Sequence, residues 1–318
     1  MILLRTSQRR KTAMKALPHF VDVQANVLDA LNNQKPVVAL ESTIITHGMP
    51  FPDNVDMASS VEEEIRERGA VPATIAVLDG RLKIGLTREE LTRLAKVTDA
   101  LKISRADIAF AISQKKTAGT TVAATMIVAR MAGIRVFATG GIGGVHAGAE
   151  TSFDISADLT ELGKTDVIVV AAGAKAILDV PKTLEVLETQ GVSVVGYQTD
   201  TLPAFWTSGS DLPVPLRLDS AAEISEFQKV RDQLGLDAGL LVANPIPITD
   251  EIPADIINGY IRTAQSEMET RGILGKQVTP FLLQRIFELS DGQSLKANIS
   301  LVQNNARLAA DIAAAFHT

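Results

Sequence analysis

Short apolar runs recur along this chain, and each gives way to a polar or glycine-rich segment before a stretch with helical spacing begins. Pro36-Val-Val-Ala-Leu40 stops at Glu41, and Arg135 to Thr139 runs into Gly140-Gly-Ile-Gly-Gly-Val-His146. Val167 to Ala172 runs into Gly173-Ala-Lys175, and Gly239 to Val242 leads to Asn244-Pro-Ile-Pro247. Runs this short and this apolar read as buried strands. Strands that alternate with helices predict an α/β fold, here a three-layer α/β/α arrangement around a mainly parallel central sheet. Thr74 to Leu78 and Leu82 to Gly85 flank an Asp79-Gly80 turn and predict two joined strands. The spacing predicts helices over Val21 to Leu31, Pro52 to Arg68, Thr117 to Met131 and Pro181 to Thr189, and over most of the chain from Ile252 onward. Thr87-Arg-Glu-Glu90 and Ser220-Ala-Ala-Glu223 are capping boxes that open two more. With no internal repeat and no linker-like stretch, residues 21–318 are expected to form a single domain.

Composition removes several chemistries. There are 0 cysteines, so a thiol nucleophile, a thiolate metal site and a disulfide framework are excluded. Only 4 histidines are present, too few to favour a multi-histidine metal cluster. A net charge of −6 argues against a broad nucleic-acid or anionic-lipid surface, and 4% aromatic residues argue against base-stacking platforms. No apolar stretch is long enough to span a bilayer. From Met1 to Val21 there is no acid, while Arg5, Arg9, Arg10, Lys11 and Lys15 are basic. Residues 1–20 therefore read either as a disordered tail or as a transit-like segment, with a cytoplasmic location expected and organellar import as the alternative.

In open α/β sheets ligands bind beyond the carboxyl ends of the strands. Glu41, the Gly140 loop, Lys175 and Asn244 can all gather there. The glycine loop fails as a dinucleotide fingerprint, because His146 stands where the third glycine is required. It is either a turn that lets bare N–H groups approach an anion or a tight turn needing glycine for its backbone angles. Lys175 follows a buried strand; an apolar neighbourhood there would lower its pKa and free the amine to attack a carbonyl, although position alone favours an ordinary loop lysine. Glu41 is either a partly buried acid–base carboxylate or an exposed acid at a helix start. Asp154 and Asp158 can bind a hard divalent ion or cap a helix.

Taken together, longer strings narrow these choices. Ala39-Leu-Glu-Ser-Thr-Ile-Ile-Thr-His-Gly-Met-Pro-Phe-Pro52, Phe137-Ala-Thr-Gly-Gly-Ile-Gly-Gly-Val-His146, Thr151-Ser-Phe-Asp-Ile-Ser-Ala-Asp158, Ala172-Gly-Ala-Lys175, Ala243-Asn-Pro-Ile-Pro247 and Ser294-Leu-Lys-Ala-Asn298 follow one another in order. They strongly resemble the motifs of the pseudouridine-5′-phosphate glycosidases, the indigoidine synthase A-like family, from about residue 22 to the C-terminus. The resemblance implies that Lys175 forms a Schiff base with C1′ of ring-opened ribose 5-phosphate and that Glu41 is the proton donor and acceptor. It implies one manganese ion per subunit bound through Asp154. Substrate contacts map to Lys102, Val122, Ser156, Ala157 and Asp158, with His146, Asn298 and Thr139 lining the site. It further implies a homotrimer, and a separate pseudouridine kinase as pathway partner.

The implied chemistry suits the bond. A C-glycosidic bond has no heteroatom leaving group to protonate, so the two-carboxylate glycosidase strategy has little purchase. An iminium at C1′ supplies an electron sink beside the bond, and lysine makes one without a cofactor. Two other readings use the same scaffold: a Schiff-base aldolase acting on a sugar phosphate, which would need no uracil, and a non-catalytic sugar-phosphate or nucleotide binder, which would form no covalent adduct.

Overall fold

The computed structural model describes residues 17–273 and 275–317. The basic run Arg5 to Lys15 lies outside the described residues. Eleven strands are present among them: β1 Val21–Val23, β2 Val37–Leu40, β3 Val71–Leu78, β4 Arg81–Ile84, β5 Leu101–Ile103, β6 Ala118–Thr120, β7 Val136–Ala138, β8 Ile168–Ala171, β9 Ser193–Tyr197, β10 Leu216–Leu218 and β11 Leu240–Ala243. They form one sheet in the order β1-β4-β3-β2-β7-β8-β11-β9-β10, with β6 pairing β3 and β5 pairing β6 off that path. From β3 through β10 every neighbouring pair along the path is parallel. The antiparallel pairs are β3 with β4 and β3 with β6.

Every residue of β2, β7, β8 and β11 is buried. Side chains alternate across a strand, so burial at every position means that both sheet faces are covered. Helix Gln293–Ala315 packs across β2, β7 and β8, and helix Val122–Ala132 packs against β2, β3 and β7. The expected α/β/α layering with a mainly parallel sheet is therefore the observed one.

Two predicted helices are shorter than their spacing suggested. Val21 to Val23 is not helical; it pairs in parallel with β4, and Asp22 bonds Arg81 at 2.6 Å and Lys83 at 2.9 Å. The helix starts only at Ala25. The Val-Asp-Val alternation is a strand pattern that the following helical stretch masked. Likewise Ala118–Thr120 is strand, wedged between β3 and β5, and the helix begins at Val122 after Thr121 as its N-cap. Both capping boxes form as predicted. Among the described residues, no helix is long and apolar enough to cross a membrane.

Candidate active site

Four strands that lie side by side, β2, β7, β8 and β11, end in Glu41, Thr139, the Gly173–Lys175 turn and Asn244. Sheet register decides who meets whom. Leu40 pairs with Ala138, so the residues that follow, Glu41 and Thr139, emerge together and the Thr139 hydroxyl donates to a Glu41 carboxylate oxygen. Parallel pairing continues past the strand ends as a bridge between Ile142 and Ala174. The Lys175 N–H donates to the Ile142 carbonyl at 3.1 Å, and the Ile142 N–H donates to that of Gly173 at 3.1 Å. The backbone beneath Lys175 is thereby tied to the glycine loop.

Burial pushes the Glu41 carboxyl above its ordinary range; the Lys175 ammonium and the Thr139 hydroxyl pull it down, Asp158 adds to the rise and Lys102 opposes it. Burial lowers the His146 imidazole; Asp154 resists that shift, while Lys102 and Lys175 add to it. Burial also lowers His47, again with a contribution from Lys102. Lys102 and Lys175 thus act on both Glu41 and His146, while Asp158 acts on Glu41 and Asp154 on His146.

The glycine loop is a built feature. The buried Asp158 carboxylate accepts from the Gly143 N–H at 2.8 Å and from the Ala123 N–H at 2.9 Å. Its second partner lies in the first turn of helix Val122–Ala132, where the helix favours negative charge. Ser156 caps helix Ala157–Leu162, its hydroxyl accepting from the Asp158 N–H at 3.2 Å. Val122 is buried, Ser156 is half-buried and Ala157 is exposed. A Cβ on Gly143 would lie 2.2 Å from the Ser156 hydroxyl, so glycine here reflects close approach. On the far side, Asn298 accepts from the Trp206 indole N–H at 2.7 Å, and Phe205 stacks edge-on against Trp206 while its ring fills the space over Gly141.

Asp154 is partly exposed; its carbonyl accepts from the His146 N–H at 3.0 Å. Among the described residues, no group of three His, Cys, Asp or Glu is placed to hold a metal ion. That donor set fits a hard divalent ion held by one carboxylate and completed by water or substrate oxygens, not a closed protein cage.

Asn305 and Arg105 escaped the sequence reading, whereas Asn244 did not. Asn244 does gather near these strand ends, but it is buried beneath them and donates to Asn305 at 3.0 Å. Arg105, just beyond the Lys102 strand, grips the fully buried Glu161 at 2.5 and 2.9 Å, tying that strand to the helix that carries Asp158. A polar residue on an apolar helical stripe was the available signal for Asn305.

The family described as Indigoidine synthase A like protein matches residues 26–315. Among curated relatives, the pseudouridine-5′-phosphate glycosidase of Dinoroseobacter shibae is 81% identical, covering 96% of this chain and 100% of its own. That of Mesorhizobium japonicum is 62% identical, covering 93% and 97% respectively. Among solved structures, the prealnumycin C-glycosynthase AlnA, determined in complex with ribulose 5-phosphate, is 38% identical with a TM-score of 0.87 and covers 94% of this chain and 98% of its own. An indigoidine synthase A-like protein of Thermotoga maritima is 34% identical with a TM-score of 0.85, covering 95% and 99%.

Proposed function

This chain belongs to the indigoidine synthase A-like family, and from that premise we propose that it is a pseudouridine-5′-phosphate glycosidase, interconverting pseudouridine 5′-phosphate and water with uracil and ribose 5-phosphate through a lysine Schiff base. The observation that carries the reading is the convergence of Glu41 and Lys175 at nearby strand ends, where the Lys175 ammonium and, more weakly, Lys102 act on the Glu41 carboxyl. The near-full-length relatives of that name, and the C-glycosynthase seen with a pentulose phosphate, support the substrate class.

In the bond-forming direction the Lys175 amine condenses with the C1′ aldehyde of open-chain ribose 5-phosphate and water leaves. Carbon C5 of uracil adds to C1′ of the iminium, whose nitrogen takes up the electron pair. Glu41, as carboxylate, removes the C5 proton. The 4′-hydroxyl then closes on C1′ and expels the lysine amine. Cleavage runs the same steps backward, with the Glu41 carboxylic acid protonating C5. A half-buried carboxyl with a raised pKa suits a group that must serve in both forms. Lys102 neutralises the 5′-phosphate as a point charge. Asp154 would hold manganese as its one protein carboxylate, and the ion when bound would offset charge near the phosphate. The same likeness supports a homotrimer and a separate kinase that supplies the phosphorylated substrate.

The test is uracil release from pseudouridine 5′-phosphate with manganese present, compared with Lys175→Ala. Wild-type release that is lost in the variant, together with a borohydride-trapped adduct of ribose 5-phosphate on Lys175, is expected. Turnover of a sugar phosphate with acetaldehyde but not uracil would instead identify an aldolase, and absence of any adduct a binder.

A further inference from the structure

Helix Gln293–Ala315 lays an apolar stripe against the sheet: Leu301, Val302, Ala306, Leu308, Ala309 and Ile312 are all buried. Asn305 interrupts that stripe and is 0% exposed. A polar side chain so placed is costly unless every group finds a partner. Its amide donates to the Thr139 carbonyl at 2.8 Å and more weakly to that of Gly140 at 3.4 Å, while its oxygen accepts from Asn244 at 3.0 Å. The Thr139 N–H is itself taken by the Val170 carbonyl at 3.0 Å. Both main-chain groups of Thr139 are thus fixed, and from that anchored backbone its buried hydroxyl donates to Glu41.

We propose that Thr139 and Asn305 are positioning residues for Glu41, a relay that runs from the helix through the end of β7 and holds the proton-carrying carboxylate at one orientation over uracil C5. This rests on the reading of Glu41 as that proton carrier, and it moves Thr139 from lining the substrate to aiming the base. A hydroxyl that donates to a carboxylate stabilises the ionised form, so it also sets the pH at which Glu41 can act as a base. The charged groups that face Glu41 are Lys175 beyond β8, Asp158 on helix Ala157–Leu162 and Lys102 on β5; none of them is altered by changing Thr139.

The experiment follows deuterium incorporation at uracil C5 in heavy water with ribose 5-phosphate present, alongside borohydride trapping on Lys175, for wild type, Thr139→Val, Thr139→Ser and Asn305→Leu. Thr139→Val is expected to trap the adduct as wild type does, to slow C5 exchange roughly tenfold or more, and to move the acid limb of the exchange profile upward by about one pH unit. Thr139→Ser, which restores the donor, is expected to return both. Asn305→Leu, if it folds, is expected to slow exchange with trapping retained; if it does not fold, the two Thr139 variants decide. Wild-type exchange matched by Thr139→Val in rate and acid limb would overturn the relay alone, as would trapping and exchange lost in equal measure. An exchange-inactive wild type would overturn the reading of Glu41 and the relay with it.

Discussion

The carboxylate of Asp158 accepts the Gly143 N–H with one oxygen and the Ala123 N–H with the other, at 2.8 and 2.9 Å. One buried side chain thus joins the glycine loop to the helix that packs beneath the sheet. An asparagine has one acceptor oxygen and one NH2 group, so in either orientation it would set a donor against a donor. Asp158→Asn is therefore expected to cost about 1–3 kcal/mol of stability and, by letting the loop shift, to lower kcat/KM by roughly a hundredfold. Calorimetry and steady-state kinetics check it; an unchanged Tm with unchanged turnover would show that the loop is held by something else.

Gly143 is the partner in that contact, and it has no room for a methyl group. A Cβ there would lie 2.2 Å from the Ser156 hydroxyl and 2.7 Å from the Asp158 carboxylate. Gly143→Ala is expected to cost about 1–3 kcal/mol and to weaken ribose 5-phosphate binding. Gly133, which ends helix Val122–Ala132 at φ +81 with nothing within 4 Å, is the control. Gly133→Ala should cost about 1 kcal/mol through backbone strain and leave KM unchanged. Equal KM values for both variants would remove the Gly143 contact from the binding site.

The strands that build the site were readable because they are apolar on both faces. β2, β7, β8 and β11 need no alternation to be seen, and each stops at the residue that matters. β1 and β6 were hidden for the opposite reason. Three residues are too short a run to stand out from the helical spacing that follows Val-Asp-Val or Ala-Gly-Thr, and pairing with β4 or β3 makes them strands. The site divides along the same line. Glu41 and Lys175 could be placed by strand ends, and their roles came from resemblance. The Thr139–Glu41 contact depends on sheet register, and the Asn305 contact on a helix far along the chain; neither relation exists until the fold forms.

Among the described residues, Asp154 belongs to no group of three His, Cys, Asp or Glu that could hold a metal ion. An ion held by one carboxylate and water exchanges readily and is sensitive to the loss of that ligand. Chelation should suppress activity and manganese restore it, and Asp154→Asn should raise the free manganese needed for half-maximal turnover by roughly tenfold. Activity titrated against buffered manganese checks both. Indifference of the wild type to chelator would take the ion, and Asp154 with it, out of the reaction.

Glu41 carries a stability cost that its proposed role as proton carrier explains. Burial raises its carboxyl above the ordinary value of 4.5, so in the folded protein it keeps a proton that the unfolded chain has already released. Over that window the native state binds more protons than the unfolded state, and stability falls as pH rises. Below 4.5 both states are protonated and there is no penalty; once pH passes the raised folded value the penalty is complete. Glutamine keeps an oxygen for the Thr139 hydroxyl and never ionises. Glu41→Gln should therefore melt like wild type at about pH 4 and at a higher temperature at about pH 8, while still forming the Lys175 adduct and failing to exchange uracil C5. Thermal denaturation across that range, run beside the exchange assay, checks both halves. A variant less stable than wild type at the alkaline end would mean that the attraction of Lys175 outweighs the cost of burying the charge.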